Sequence, residues 1–283
     1  MFRRQTSGSV VCASCGSLVG VADDKCYNCG RRNPGLWGYA GAIRRLGSDL
    51  GFVQVVVIGS SILYVLTLLM SNGRIGMSGL NLLAPADSTL FQFGASGAIP
   101  FFLADRWWTV LSAGWLHGSL LHILFNMLWV RQLGPATADV FGPGRMVIIY
   151  TVSGVVGFFL SSTAGAYLPD VPLLGGAGMT VGASASVFGL LGALVAYGKL
   201  RGSSADTSQA LTYAIVLFVF GLVMSGVDNW AHAGGFAGGY LTARWLDPWK
   251  PERINHLVGA LICLAASALA ILASIVHYSW MMS

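Results

Sequence analysis

Predominantly apolar stretches recur seven times along the chain, near residues 52–70, 109–130, 146–166, 183–200, 210–225, 230–245 and 256–278. A helix rises about 1.5 Å per residue and a bilayer's hydrocarbon core is about 30 Å thick, so stretches of this length predict membrane-spanning helices. Between the first two lies a long connection, residues 71–107, in which Phe91, Phe93, Phe101 and Phe102 are interleaved with Pro85 and Pro100. That aromatic content predicts a segment lying partly in the membrane interface, with Trp107 and Trp108 at its edge.

Strongly polar groups cluster in three of the spans. The second carries His117, His122 and Asn126; the fourth opens with Gly182-Ala-Ser184-Ala-Ser186-Val-Phe188-Gly189; the sixth opens with Asp228-Asn-Trp-Ala-His232-Ala-Gly-Gly235. Ionisable and strongly polar groups are costly in a bilayer and mark function by default. The three spans run in the same direction, and each carries its polar groups in its outer half, which places those groups at one depth.

Composition supports the membrane assignment. Of 283 residues, 55% are hydrophobic and 10% charged, against roughly 25% charged in soluble domains. The 38 glycines suit helices whose backbones approach closely in lipid. On the sixth span, Gly234 with Gly238 and Gly235 with Gly239 form overlapping GxxxG patterns, which predict close packing against the fourth. The formal charge of +5 reflects orientation, and no nucleic-acid partner is expected. With a cytoplasmic N-terminus, 14 of the 16 Lys and Arg residues fall in inner segments, leaving Arg74 and Arg106 outside. The positive-inside rule then predicts an extracytoplasmic C-terminus, in a plasma or inner membrane. Residues 1–47 are polar and have no apolar stretch before a small-residue cleavage site, so no cleavable signal peptide is expected.

Four of the five cysteines lie in that polar head, as Cys12-Ala-Ser-Cys15-Gly and Cys26-Tyr-Asn-Cys29-Gly. Two such knuckles can supply four thiolates to a structural zinc, and a pair of disulfides is the alternative. A reducing cytoplasm favours zinc. The ribbon is an accessory that could recruit a cytoplasmic partner or steady that face of the protein.

Serine is a weak nucleophile unless a base lies within hydrogen-bonding reach. Ser184 follows small residues at a helix start, where its backbone N–H lacks an intrahelical partner and can bind an oxyanion. Close packing of the fourth and sixth spans could bring His232 to it as the base. His122 and Asn126, four residues apart, face one way and could complete the oxyanion site; His117 is expected to anchor the outer connection. No acidic third member is evident, Asp228 being read as a solvated loop residue, so a dyad is expected. Catalysis by this pair needs no cofactor.

These three motifs, spread over residues 107–246, resemble those of the rhomboid intramembrane serine proteases. The resemblance implies Ser184 as nucleophile within the Gly182-Ala-Ser184 motif, His232 as base, His122 and Asn126 with the Ser184 N–H as the oxyanion hole, and Phe188 as an aromatic ring against His232. Many members read Trp-Arg ahead of the second-span motif, where this chain reads Trp108-Thr109. Ser186 stands where a small apolar residue is usual and points away from Ser184. The implied architecture is an all-α polytopic membrane protein with a six-helix core and one extra C-terminal helix. In residue terms this is a zinc-ribbon segment 1–35, a linker 36–50, a protease core 51–246, and a linker with the seventh helix 247–283. The implied substrates are single-span membrane proteins cut in or near their transmembrane segment. Two rivals are a catalytically inactive relative that binds membrane clients and a transporter lined by His122, Asn126 and His232; the latter lacks the inverted repeats and mid-span acids typical of that class.

Overall fold

A computed structural model describes residues 4–12, 15–41, 47–168, 175–224, 226–250 and 252–281. Among the orientation-setting basic residues, Arg3, Arg44 and Arg45 fall outside them, as does Ser225 at the expected end of the fifth span.

The described residues form seven long helices: α1 Phe52–Leu69, α2 Leu120–Phe141, α3 Pro143–Tyr167, α4 Ser184–Arg201, α5 Ser204–Val223, α6 Asn229–Trp245 and α7 Ile254–Met281. The protein is an all-α polytopic membrane protein with a six-helix core and a further C-terminal helix. By length and composition alone, α1, α3, α5 and α7 are apolar enough to cross a membrane. Helices α2, α4 and α6, which carry the polar groups, are less so. Helix α4 makes up for this by burial. It sits in the middle of the bundle, packed on α2, α3, α5 and α6, with Leu190, Leu191 and Val195 inside it.

Glycine decides how closely these helices pack. The two GxxxG patterns of α6 serve different neighbours. Gly235 and Gly239 lie against the backbone of Ala185 and Gly189 on α4, whereas Gly234 and Gly238 lie against Gly157 and Val156 on α3. Residues three or four apart share a helix face, and adjacent residues do not, so one four-glycine run can serve two neighbours.

Turns follow local chemistry. Gly142, at φ 89°, ends α2, and Pro143 opens α3, where a missing N–H costs nothing. Helix α4 ends on Gly202 at φ 72°, and the Ser203 hydroxyl caps α5 by accepting from the Asp206 N–H at 3.2 Å.

The second span departs from the expected boundaries. Residues 109–115 form only short helical turns, Leu116 is extended, and α2 begins at Leu120, capped by the Ser119 hydroxyl accepting from the His122 N–H. The helix then runs through Pro135 to Phe141. Hydropathy registers Val110, Leu111 and Trp115 as apolar but is blind to the Gly118-Ser119 cap that starts the helix. His117 is therefore not on the helix at all; it lies fully buried in the lead-in.

The outer connection is structured by a short helix Asp87–Phe93 and a π-helical turn Ile99–Leu103. Ile99, Phe102, Leu103 and Trp107 stay exposed, as side chains resting in a membrane interface would. At the other extremity, strands β1 Ser9–Val11 and β2 Leu18–Gly20 pair antiparallel and carry the first cysteine knuckle at their turn.

Candidate active site

Ser184 is the first residue of α4, and His232 lies one turn into α6. The Gly235 contact draws these two helix ends together, and His232 Nε2 stands 3.0 Å from Ser184 Oγ. The Phe188 ring, one turn below Ser184, stacks on the imidazole with centroids 4.2 Å apart and planes 15° from parallel. His232 is thus held from two sides. Its Nδ1 finds no acceptor among the described residues. Asp228 is engaged elsewhere, against the expectation of a solvated residue. One of its oxygens caps α6 by accepting from the Ala231 N–H at 3.0 Å, and the other accepts from the Ser161 hydroxyl of α3.

His122 and Asn126 line the same side of α2. The His122 Nδ1 accepts from the Gly118 N–H at 3.3 Å, so the neutral ring carries its proton on Nε2. That Nε2 borders Gly182, where a side chain's Cβ would lie 2.5 Å from it. Gly182 has φ +127°, a conformation that glycine adopts freely. Two independent constraints therefore require glycine here: the backbone angle and the imidazole beside it. The Asn126 amide donates one hydrogen to the His122 carbonyl at 2.9 Å and retains a second. Along α4, Val187 is the first residue whose N–H reaches back to a pre-helical carbonyl, that of Ala183 at 3.0 Å. The Ser184 N–H precedes it, among the helix-start donors that intrahelical bonding leaves over.

Ser184, His232, His122, Asn126 and Phe188 share one open cavity of about 1310 Å³. Phe125 and Trp129 of α2 and Val216 and Phe218 of α5 form an apolar wall, while Ala86, Asp87 and Leu90 of the outer connection complete it. A hydroxyl, an imidazole and three N–H donors at one end of a bundle form an arrangement suited to acyl transfer. His117 lies beside this group rather than in it, its ring edge-on to His122 at 5.2 Å. Ser186 is turned toward Gly154 of α3, away from the cavity.

Two buried contacts escaped the sequence. One is the Gly118 N–H that sets the His122 tautomer. The other is Arg106, which is fully buried and donates to the carbonyls of Phe91 at 2.7 Å and Ser274 at 3.1 Å. Its expected separation from 14 of the 16 basic residues was the available signal.

The four head cysteines form a second cluster, their Sγ atoms all within 4.8 Å of one another. Cys12 to Cys29 is 3.8 Å and Cys15 to Cys26 is 3.6 Å. Four sulfurs at about 2.3 Å from a tetrahedral zinc lie about 3.8 Å apart, so the cluster fits that ion. A disulfide would need about 2.05 Å. The two knuckles repeat each other. The N–H of Gly16 bonds the Cys12 carbonyl and that of Gly30 the Cys26 carbonyl, with φ of 77° and 69° at the two glycines.

A rhomboid-domain family model matches residues 104–249, just over half of the chain. RHOMBOID-like protein 7 of Arabidopsis thaliana is 31% identical over 191 residues, 64% of this chain and 58% of that protein. Rhomboid protease GluP of Bacillus subtilis (strain 168) is 30% identical over 188 residues, 65% of this chain and 34% of that protein. Inactive RHOMBOID-like protein 8 of Arabidopsis thaliana is 25% identical over 215 residues, 68% of this chain and 58% of that protein. The chain thus spans between 34% and 58% of the length of these relatives. The family match covers every helix that contributes to the cavity's polar end, and the chain belongs to the rhomboid family.

Proposed function

We propose that the protein is an intramembrane serine endopeptidase that cuts membrane-protein substrates in or near a transmembrane segment. The observation that carries this is the 3.0 Å approach of His232 Nε2 to Ser184 Oγ across two helices. Ser184 Oγ attacks the peptide carbonyl carbon as His232 Nε2 takes its proton. The oxyanion is received by the Ser184 N–H, His122 Nε2–H and the free Asn126 amide hydrogen. Collapse breaks the C–N bond, and His232 returns the proton to the departing amine. Water, deprotonated by the same imidazole, then releases the acyl group from Ser184. Phe188 keeps the imidazole plane fixed through both halves. The apolar wall between α2 and α5 suits a substrate helix arriving from lipid, and the exposure of α5, packed mainly on α4, supports entry there.

The test is labelling of the reconstituted protein by a fluorophosphonate, with mapping of the modified peptide. A covalent adduct on Ser184 together with cleavage of a single-span substrate supports the assignment. An unlabelled Ser184 with retained substrate binding would instead favour client binding without catalysis, a reading that similarity to a relative named inactive keeps in view. Asn126→Ala is expected to lower kcat by roughly 100-fold while leaving the protein folded, since the lost donor acts on the oxyanion.

Residues 51–246 are proposed as the catalytic core, with a ribbon 1–35, a linker 36–50, and a linker with the seventh helix in 247–283. Arg145, Lys199, Arg201, Arg244, Lys250 and Arg253 cluster toward the end of the bundle remote from Ser184, which supports a cytoplasmic placement for that end and an outward-facing site. Cys12, Cys15, Cys26 and Cys29 would hold one structural zinc. The purified protein is expected to contain one equivalent by mass spectrometry of the metal, and Cys26→Ser is expected to lose it. Full retention by that variant would reject the assignment.

A further inference from the structure

The outer end of α7 meets the outer connection through a set of contacts that the hydrolytic chemistry does not use. Ser274 is fully buried. Its carbonyl accepts from Arg106 Nη2 at 3.1 Å, and its hydroxyl accepts from Trp108 Nε1 at 3.1 Å. Arg106 also bonds the Phe91 carbonyl and lies 4.3 Å over the Phe91 ring. A guanidinium removed from water costs several kcal/mol unless such partners receive it. At the crossing itself Gly94 has φ +106°, and a Cβ there would fall 2.6 Å from the Ser274 hydroxyl. Next to Ser274, Ile275 packs on the cluster of Leu90 and Phe93, which also takes in Met179 and Val181.

These contacts continue to the candidate nucleophile by backbone pairing. Ser96 and Thr180 exchange hydrogen bonds at 3.0 and 2.7 Å, and the N–H groups of Ala98 and Ile99 donate to the carbonyls of Ala177 and Gly178. The segment so templated, residues 177–181, leads directly into Gly182 and Ser184. Its register sets where the Ser184 N–H and the Gly182 turn stand relative to His122. A shift of the outer connection is therefore a shift of the oxyanion site.

We infer that the outer end of α7 is a positioning element of the active site, in which Ser274, through Arg106 and Trp108, fixes the outer connection that templates the approach to Ser184. This rests on the protease assignment above. The seventh helix is then part of the catalytic unit rather than an appended anchor, and Arg106 provides the anchoring that the Trp108-Thr109 sequence otherwise lacks.

The test uses the reconstituted full chain and three gentle variants. Trp108→Phe deletes the indole donor and keeps a ring; Ser274→Ala deletes the acceptor and keeps the carbonyl; Ser274→Thr keeps both. One neutral hydrogen bond is worth a factor of about 3 to 10, so kcat for a single-span substrate should fall by about that factor in Trp108→Phe and Ser274→Ala. KM should move less than kcat, and Ser274→Thr should retain wild-type turnover. Because both variants delete the same bond, the double variant should be no slower than the worse single one. Unchanged kcat, or losses that multiply, would overturn the inference. If the wild-type protein neither labels nor cleaves, the protease assignment fails by itself, and chymotrypsin sensitivity then decides the clamp. Faster cutting after the exposed Leu103 and Trp107 in both variants would uphold it, and equal rates would reject it.

Discussion

Ser184→Ala and His232→Ala should each abolish substrate cleavage, with a loss of roughly 10⁴-fold or more in kcat. The size follows from the work the pair does together. The hydroxyl cannot attack without a base, and the base has nothing to activate without the hydroxyl. The double variant should accordingly be no worse than either single one, because the first substitution already removes the unit. Residual hydrolysis from the oxyanion donors alone would remain near the limit of detection. Both variants should remain folded: each loses the hydrogen bond between Ser184 and His232 that joins α4 to α6, worth about 1 kcal/mol, and His232→Ala also loses the stack on Phe188. An active Ser184→Ala protein would move the nucleophile to another residue.

The second large effect is expected from Gly235→Ala. An added Cβ would fall within the van der Waals shell of the Ala185 carbonyl, backbone against backbone, and only a separation of α6 from α4 can relieve it. Overpacking of this kind costs about 1–3 kcal/mol and sometimes more. Here the same separation also pulls His232 from Ser184, so activity should vanish well before the fold does. Gly239→Ala, which meets the Gly189 carbonyl on the same face, should behave alike. Gly114→Ala is the control. Its Cβ would make only ordinary contact with Phe158 at 3.6 Å, and Tm and cleavage should remain at wild-type values. Retained activity in Gly235→Ala would mean that the two helices are held at their spacing by something other than this glycine.

Much of the architecture was legible in the chain. The apolar stretches set the number and order of helices because lipid requires each crossing segment to satisfy its own backbone hydrogen bonds. The three polar-bearing stretches named the residues worth examining because buried polar groups in a membrane are costly. The CxxCG repeats located the cysteine cluster through short-range geometry. Each of these is a local property, readable within a window of about twenty residues.

What the sequence left open were contacts between distant segments and boundaries set by single caps. The start of α2 depended on the Ser119 hydroxyl, which removed His117 from the helix. The division of labour among the α6 glycines depended on which neighbour lay at which azimuth. Asp228 looked like a loop residue until Ser161, 67 positions earlier, proved to be its partner. Arg106 reaches Ser274 across 168 positions. By itself, then, the sequence determined the order of the apolar segments and most of the polar groups they carry, His117 excepted, since hydropathy and motif spacing are set by adjacent residues. The GxxxG patterns pointed to the pairing of Ser184 with His232, but the tertiary structure decided its geometry, because the 3.0 Å approach depends on which glycine of α6 meets which backbone atom of α4, a matter of azimuth and depth that spacing alone leaves open.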